Sequence, residues 1–338
     1  MKILVTGGLG FIGSHTVVEL QSQGFEVLII DDLSNTTMSV LDGIYGITGI
    51  LPTFVKLDLK DQAGIETFFQ THTDLKGVIH FAASKAVGDS VNNPLSYYHN
   101  NICTLIYLLE AMERYEVNNF IFSSSCTVYG QADKMPITED APFKPAESPY
   151  GNTKQIGEDI LRDTAKVSNL NGIALRYFNP IGAHESALIG ELPIGVPQNL
   201  IPFVTQTAAG IREELLIFGG DYPTQDGTAI RDYIHVVDLA KAHIKALKRV
   251  LHKEQQTSFE VFNIGTGKGS SVLEVVTSFE RVTGQKINYR TVNRRKGDII
   301  EAFADTRRAN NILGWSATYT LDQALDSAWK WQSRLTSN

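Results

Sequence analysis

An α/β fold, with a doubly wound parallel sheet followed by a smaller C-terminal α/β substrate lobe, is what this sequence predicts. Three observations predict it. Short β-branched runs alternate with amphipathic stretches through the first half of the chain. Those runs are continuously apolar rather than alternating, as strands covered by helices on both faces should be. A glycine-rich turn joins the first run directly to the first amphipathic stretch, the junction where sheets of this kind hold dinucleotides.

In chain order, the candidate strands cover residues 3–6, 27–30, 53–57, 77–81, 119–123 and 173–176. Candidate helices fill the intervals at 11–22, 61–72, 94–115 and 149–168, giving the βαβ rhythm of a Rossmann arrangement. After Tyr177 the rhythm loosens. Glycine, proline and asparagine cluster over 179–202, and helices at 271–283 and 321–331 stand without a strand for each. We divide the chain into a dinucleotide-binding domain, 1–177, and a smaller substrate lobe, 178–338, with the chain free to cross between them. No internal repeat or low-complexity tract interrupts either part.

Composition narrows the function. With 338 residues and 43% hydrophobic content, the chain can bury a sizeable core. The net charge is -7, and no basic stripe invites nucleic acid or an anionic membrane. Two cysteines and eight scattered histidines show no metal-ligand spacing, so no metal is expected. The N-terminal apolar run is too short for a secretory signal, and no stretch approaches the roughly 18–20 apolar residues of a spanning helix. A soluble, cytoplasmic protein is the expectation.

Gly7, Gly10 and Gly13 lie in Gly7-Gly8-Leu9-Gly10-Phe11-Ile12-Gly13, between the first strand and first helix. Glycines there let the backbone turn tightly and approach a pyrophosphate, which the helix N-terminus then faces with free amides. Asp31 ends the second strand about 20 residues later, where a carboxylate accepts from ribose hydroxyls. A solvated loop acid is the alternative. No lysine or arginine follows among Asp31, Asp32 and Asn35 to meet a 2′-phosphate, so NAD is favoured over NADP.

Ser148-Pro149 reads as a helix start, a capping serine followed by proline at the first helical position. Tyr150 and Lys154 then share one face, a turn apart. Twelve tyrosines make such a spacing a weak signal alone; an ordinary amphipathic helix would show it too. The chemistry gives it weight. Tyrosine titrates near pH 10, and an ammonium about 6 Å away stabilises phenolate by roughly 2.8 kcal/mol, near two pKa units. A nicotinamide cation would add as much, bringing Tyr150 towards neutrality as a general base. Ser125 closes Ser123-Ser124-Ser125 at the end of the fifth strand, where ligands bind in such sheets; it can steady the moving proton. A merely polar strand end is the alternative.

Together the Gly-x-x-Gly-x-x-Gly loop, the strand-end serine and Tyr-x-x-x-Lys resemble the extended short-chain dehydrogenase/reductase family. The resemblance is closest to members that invert C4 of a nucleotide sugar. It runs through His80-Phe81-Ala82-Ala83, Phe122 to Gly130, Arg176 to His184, Asp221-Tyr222-Pro223-Thr224 and Arg231 to Val236. It implies reversible, NAD-dependent epimerisation of a UDP-hexose through a transient 4-keto sugar, with Ser125, Tyr150 and Lys154 catalytic. It implies a cofactor site of Gly7, Gly10, Phe11, Ile12, Gly13, Asp31, Asp32, Asn35, Asp58, Leu59, Phe81, Ala82, Lys85, Asn100, Tyr150, Lys154 and Tyr177. The UDP-sugar falls to Ser125, Tyr150, Phe178, Asn179, Asn199, Leu200, Phe218, Arg231, Tyr233, Arg295, Asp298 and Ala302. Some members carry a bulky tyrosine where Ala302 stands, and small residues accompany acceptance of N-acetylated hexosamines. The related 4,6-dehydratases carry an Asp-Glu pair where this chain has Cys126-Thr127, so loss of water is not expected. A uronate 4-epimerase stays open, and a non-enzymatic dinucleotide sensor is disfavoured by the retained pair. The family suggests a homodimer, formed through outer faces of helices 94–115 and 149–168 that include Tyr107 and Leu161. Gly157, inside the second of these, has no explanation in the sequence.

Overall fold

The computed structural model describes residues 1–295 and 298–337. Strands β1 (Lys2–Thr6), β2 (Glu26–Asp31), β3 (Thr53–Lys56), β4 (Leu75–His80), β5 (Asn119–Ser125) and β6 (Asn171–Tyr177) form as expected. They join one parallel sheet with a seventh strand, Phe259–Ile264, in the spatial order 259–264, β6, β5, β4, β1, β2, β3. The order reverses between β1 and β4, which opens a crevice at the carboxyl ends of these strands.

The seventh strand crosses the division at residue 177. It pairs Phe259 to Ile264 with Gly172 to Tyr177. Its sequence hides it, because Glu260 and Asn263 break an otherwise apolar run. Both are buried and satisfied by tertiary partners: Glu260 binds Arg249, and Asn263 binds Tyr129 and the Ile137 carbonyl. The helix before it, Val236–Leu251, also lies on this sheet, packed against α1 (Phe11–Ser22). Two apolar layers sandwich the strands. One holds Val17, Leu20, Leu239 and Ile244; the other holds Phe68, Phe69, Leu105, Leu108 and Leu161.

Two helical expectations change. Residues 94–115 form Pro94–Tyr98 and Thr104–Arg114 joined through a π-helical turn, His99–Cys103. The wide turn carries Asn100 and Asn101, and such turns often mark functional positions. Leu161 is fully buried in the core, so it cannot sit on an outer face. An additional helix, Ser39–Thr48, lies between β2 and β3.

The helix Pro149–Val167 starts as read: Ser148 Oγ accepts from the Gly151 amide at 3.1 Å. Gly157 is now explained. A Cβ there would stand 2.9 Å from the tip of the Phe122 ring, so only glycine lets this helix settle on β5. The C-terminal lobe is built from short paired strands. Leu215–Phe218 runs beside Tyr289–Val292, and Ile230–Arg231 lies between Ser270–Ser271 and Glu301–Ala302. Helices Val272–Thr283 and Leu321–Ser337 close the lobe around Val275, Phe279, Leu325 and Ala328.

Candidate active site

The glycine loop has the shape its residues demand. Gly7 has φ +67°, and a Cβ there would lie 2.7 Å from the Ala82 nitrogen. At Gly13 the clash would be with the Gly7 carbonyl, at 2.2 Å. Phe11 and Ile12 open α1, whose first turn has neither a side-chain cap nor an acid. Its amides therefore lack a local acceptor, and these features fit a pyrophosphate. Asp31 accepts from the amides of Leu9 at 3.1 Å and Leu33 at 3.0 Å, so it shapes the loop as well as facing the crevice. Burial raises its pKa against those two bonds. Asp32 accepts from the Ser34 amide at 2.9 Å, and Asn35 is exposed.

Across the crevice, Asp58 holds Lys60 Nζ at 3.2 Å, and that ammonium reaches Asn100 Oδ1 at 3.4 Å. Leu59 is buried beneath them. Phe81 packs on His243 with ring centroids 4.6 Å apart, and Ala82 abuts Gly7. Lys85 is drawn towards the lobe, where its ammonium pairs with Glu191 at 3.6 Å.

At the carboxyl end of β5 the three serines divide their tasks. The Ser123 carbonyl accepts from Lys154 Nζ at 2.8 Å, and its hydroxyl donates to the Tyr177 hydroxyl at 3.0 Å. Ser124 donates to Glu158 at 2.6 Å. Ser125 accepts from the Thr127 amide at 3.2 Å and hydrogen-bonds to Tyr150. Lys154 is 4% exposed, its ammonium 4.8 Å from the centre of the Phe122 ring and 5.9 Å from that of Tyr150. Burial lowers its pKa to about 8, while Glu158 pulls it up.

In the protein alone, burial sets the direction of the Tyr150 titration. Burial holds its phenol well above 10, Tyr177 adds to the rise, and only Ser125 among the main neighbours opposes it. The lysine stands at the anticipated distance but does not outweigh desolvation. In the protein alone Tyr150 is a neutral phenol, a proton donor first.

On the lobe side, Arg231 acts electrostatically on Cys126, the neighbour of Ser125, and both Arg231 and Arg295 act on Tyr233. Arg295 lies over the Phe218 ring at 4.8 Å and pairs with Asp298 at 3.0 Å. Tyr233 is buried, which pushes its hydroxyl up to about 12 against the pull of Arg231 and Arg295. Asn199 precedes the helix Leu200–Ala208 and donates to Glu191 at 2.6 Å. The Asn179 amide donates to the Asp232 carbonyl at 2.9 Å. Ala302 stands opposite Arg231 in strand register and shares an apolar cluster with Phe178, Val128 and Tyr129. No group of three possible metal ligands occurs among the described residues.

Comparison with known proteins agrees with this geometry. A family profile described as GDP-mannose 4,6 dehydratase matches residues 4–328. A UDP-glucose 4-epimerase of Bacillus subtilis strain 168 is 51% identical over 334 residues, 98% of this chain and 97% of that protein. This chain belongs to the UDP-glucose 4-epimerase family. The crystal structure of the Stenotrophomonas maltophila epimerase, with bound NAD and formylated UDP-arabinopyranose, has a TM-score of 0.96. It is 47% identical and covers 100% of this chain and 99% of that one. The UDP-Glc/GlcNAc 4-epimerase of Campylobacter jejuni is 35% identical with a TM-score of 0.84, covering 98% and 99%.

Two further residues of this epimerase-family site escaped the sequence reading. Asn101 is buried and bonds Ser84 through both its amide nitrogen and its carbonyl, and Thr153 on the helix Pro149–Val167. Nothing in its local sequence marks it. Glu158 had a signal: it follows Lys154 by four residues on the face that already holds Tyr150. An acid on that face needed a buried partner, and Arg176 is that partner at 2.6 Å.

Proposed function

We propose that Tyr150 exchanges the proton of the sugar 4-hydroxyl in this enzyme's reaction, with Lys154 and Ser125 stabilising its charged form. The enzyme is an isomerase that catalyses NAD-dependent epimerisation at C4 of a UDP-hexose. NAD, which the glycine loop Gly7 to Gly13 and Asp31 would hold, would supply the acceptor and donor of the C4 hydride. The observation that carries the residue assignment is the buried triangle of Tyr150, Lys154 and Ser125 at the carboxyl end of β5. Inversion requires the sugar to turn while the nucleotide stays held. The chain suits this: the groups assigned to UDP (Asn179, Asn199, Leu200, Phe218, Arg231, Tyr233, Arg295 and Asp298) come from the lobe. The proton-exchanging groups come from strand β5 and the helix Pro149–Val167 packed on it. Arg231 and Arg295 supply charge-assisted hydrogen bonds to a diphosphate.

Nothing beside Ser125 favours loss of water. Desolvation holds the Cys126 thiol up to about 12, and Thr127 is no acid, so neither serves as the proton donor a dehydratase needs. Supplying UDP-galactose to the purified protein without added NAD tests the reading. Product UDP-glucose supports it; a 4-keto-6-deoxy product, or bound NAD with no turnover, overturns it.

Ala302 leaves room for an acetamido group at C2, and we extend the substrate range to UDP-GlcNAc and UDP-GalNAc. Normal glucose turnover with no GlcNAc turnover would end that extension. We further assign a homodimer in the cytoplasm. Among the described residues no helix is long and apolar enough to cross a membrane. Exposed Leu95 and Ile106 offer an outer face on the helical run 94–114 in place of Leu161. Sedimentation equilibrium decides between monomer and dimer.

A further inference from the structure

We propose that Glu158 is a positioning residue for proton exchange: through Ser124 and Arg176 its carboxylate fixes the strand-β5 serines against Tyr150 and Lys154. This rests on the function proposed above. Glu158 is fully buried one turn beyond Lys154. One carboxylate oxygen accepts from Ser124 Oγ at 2.6 Å and Arg176 Nε at 2.9 Å; the other accepts from Arg176 Nη2 at 2.6 Å. Ser124 stands between the carbonyl that holds Lys154 and the hydroxyl that faces Tyr150. The carboxylate is thus bonded to the one residue whose displacement would move both neighbours. Arg176 continues the chain of bonds, donating to the Tyr129 hydroxyl at 2.9 Å, and Tyr129 donates to Asn263 at 2.6 Å. The catalytic helix, β5, β6 and the seventh strand are thereby linked through a single buried polar network.

A simple stabilising ion pair would look different. A buried pair contributes little beyond its apolar replacement, and neither Ser124 nor the helix position four residues past Lys154 would be required. Here the carboxylate also faces the ammonium. Tyr150 and Glu158 approach Lys154 from its own helix, the Ser123 carbonyl and Phe122 ring from β5, and His80 from β4. His80 is kept neutral, titrating near 3, and Tyr177 on β6 faces Tyr150. Among the described groups Glu158 is the carboxylate that holds the lysine charge in place.

Three variants separate positioning from stability. Ser124→Ala removes one bond and leaves no unpaired charge. Glu158→Gln removes the charge, and Glu158→Gln with Arg176→Met removes the pair. Turnover of UDP-galactose, its pH profile, NAD content after denaturation, and Tm are measured for each. Ser124→Ala should keep NAD and Tm while kcat falls about 10-fold with KM within about twofold, since a small misplacement costs of that order or more. Glu158→Gln should lose about 100-fold in kcat, with the alkaline fall in activity moved to lower pH. The double variant should regain Tm but not kcat. Recovery of kcat together with Tm in the double variant overturns the proposal. So does wild-type kcat and pH profile in Ser124→Ala. An inactive wild-type protein would instead defeat the assignment of function itself.

Discussion

The two sides of the crevice hold similar polar groups in opposite ways. On the Tyr150 side the charged groups are buried: Lys154 is 4% exposed, Arg176 3% and Glu158 0%. Around the lobe the ions are open, with side-chain exposures of 56% for Arg295 and 53% for Lys85. Buried groups bonded on all sides keep one geometry, which is what proton exchange needs. Exposed ion pairs are weak and exchangeable, so Arg295, Asp298, Lys85 and Asn199 can release each other for a ligand. Rigidity sits on the side we assign to proton exchange, and exchangeability on the side we assign to the nucleotide.

Variants on the two sides should therefore fail differently, and the largest effect belongs to the buried side. Tyr150→Phe should fold and retain NAD while kcat falls about 1,000-fold, the scale of a lost acid–base group. Steady-state kinetics with a stoichiometric NAD assay checks it, and wild-type turnover would remove Tyr150 from the mechanism. Arg295→Met should raise KM for UDP-galactose about 10- to 100-fold, the weight of a charge-assisted hydrogen bond, with kcat changed less than about threefold. A drop in kcat as large as that of Tyr150→Phe would erase the contrast between the sides.

Gly157→Ala probes the buried side by one methyl. The Phe122 ring stands 2.9 Å from the added carbon and carries the Lys154 ammonium above it. Overpacking should cost about 1–3 kcal/mol in urea unfolding, accompanied by a loss of turnover; unchanged stability would show that the helix can lift without harm. A further probe of the sheet side is pH. Burial lowers His15 and His80 to about 3 and His243 to about 4, all three on the sheet side. Unfolded histidine binds a proton near 6.5 where the folded residue does not. Their stabilisation is therefore complete above 6.5 and is lost as pH falls towards 4 for His243 and towards 3 for His15 and His80, at up to about 1.4 kcal/mol per histidine per pH unit. The carboxyls of Asp31, Glu139 and Asp232, raised by burial, oppose this. The urea midpoint should fall from pH 7 to pH 5, and a midpoint that rose would contradict the burial of these rings.

How legible was the site? The glycine loop, the capped start at Ser148 and the six leading strands were readable because each depends on near neighbours and periodicity. Tyr150, Lys154 and Ser125 were readable as types at positions, yet the titration of Tyr150 was not. Its phenol is governed by burial among groups from β5 and β6, which outweighs a lysine one turn away. The strand Phe259–Ile264 and the outward placing of Leu161 failed for a related reason. Polar residues inside a strand and an apolar residue on a helix declare their side only when the partner surface is known.

By itself the sequence determined the six leading strands and the helices between them, the glycine turn and the spacing of Tyr150 and Lys154, since these follow from backbone sterics and local repeats. Only the tertiary structure decided that the chain returns to complete its sheet at 259–264, that Gly157 yields space to Phe122, and that Glu158 acts on Ser124. Those contacts join residues far apart in the chain; Ser124 and Glu158 lie 34 positions from each other. Their energies come from desolvation, a property of the packed interior that no single segment possesses.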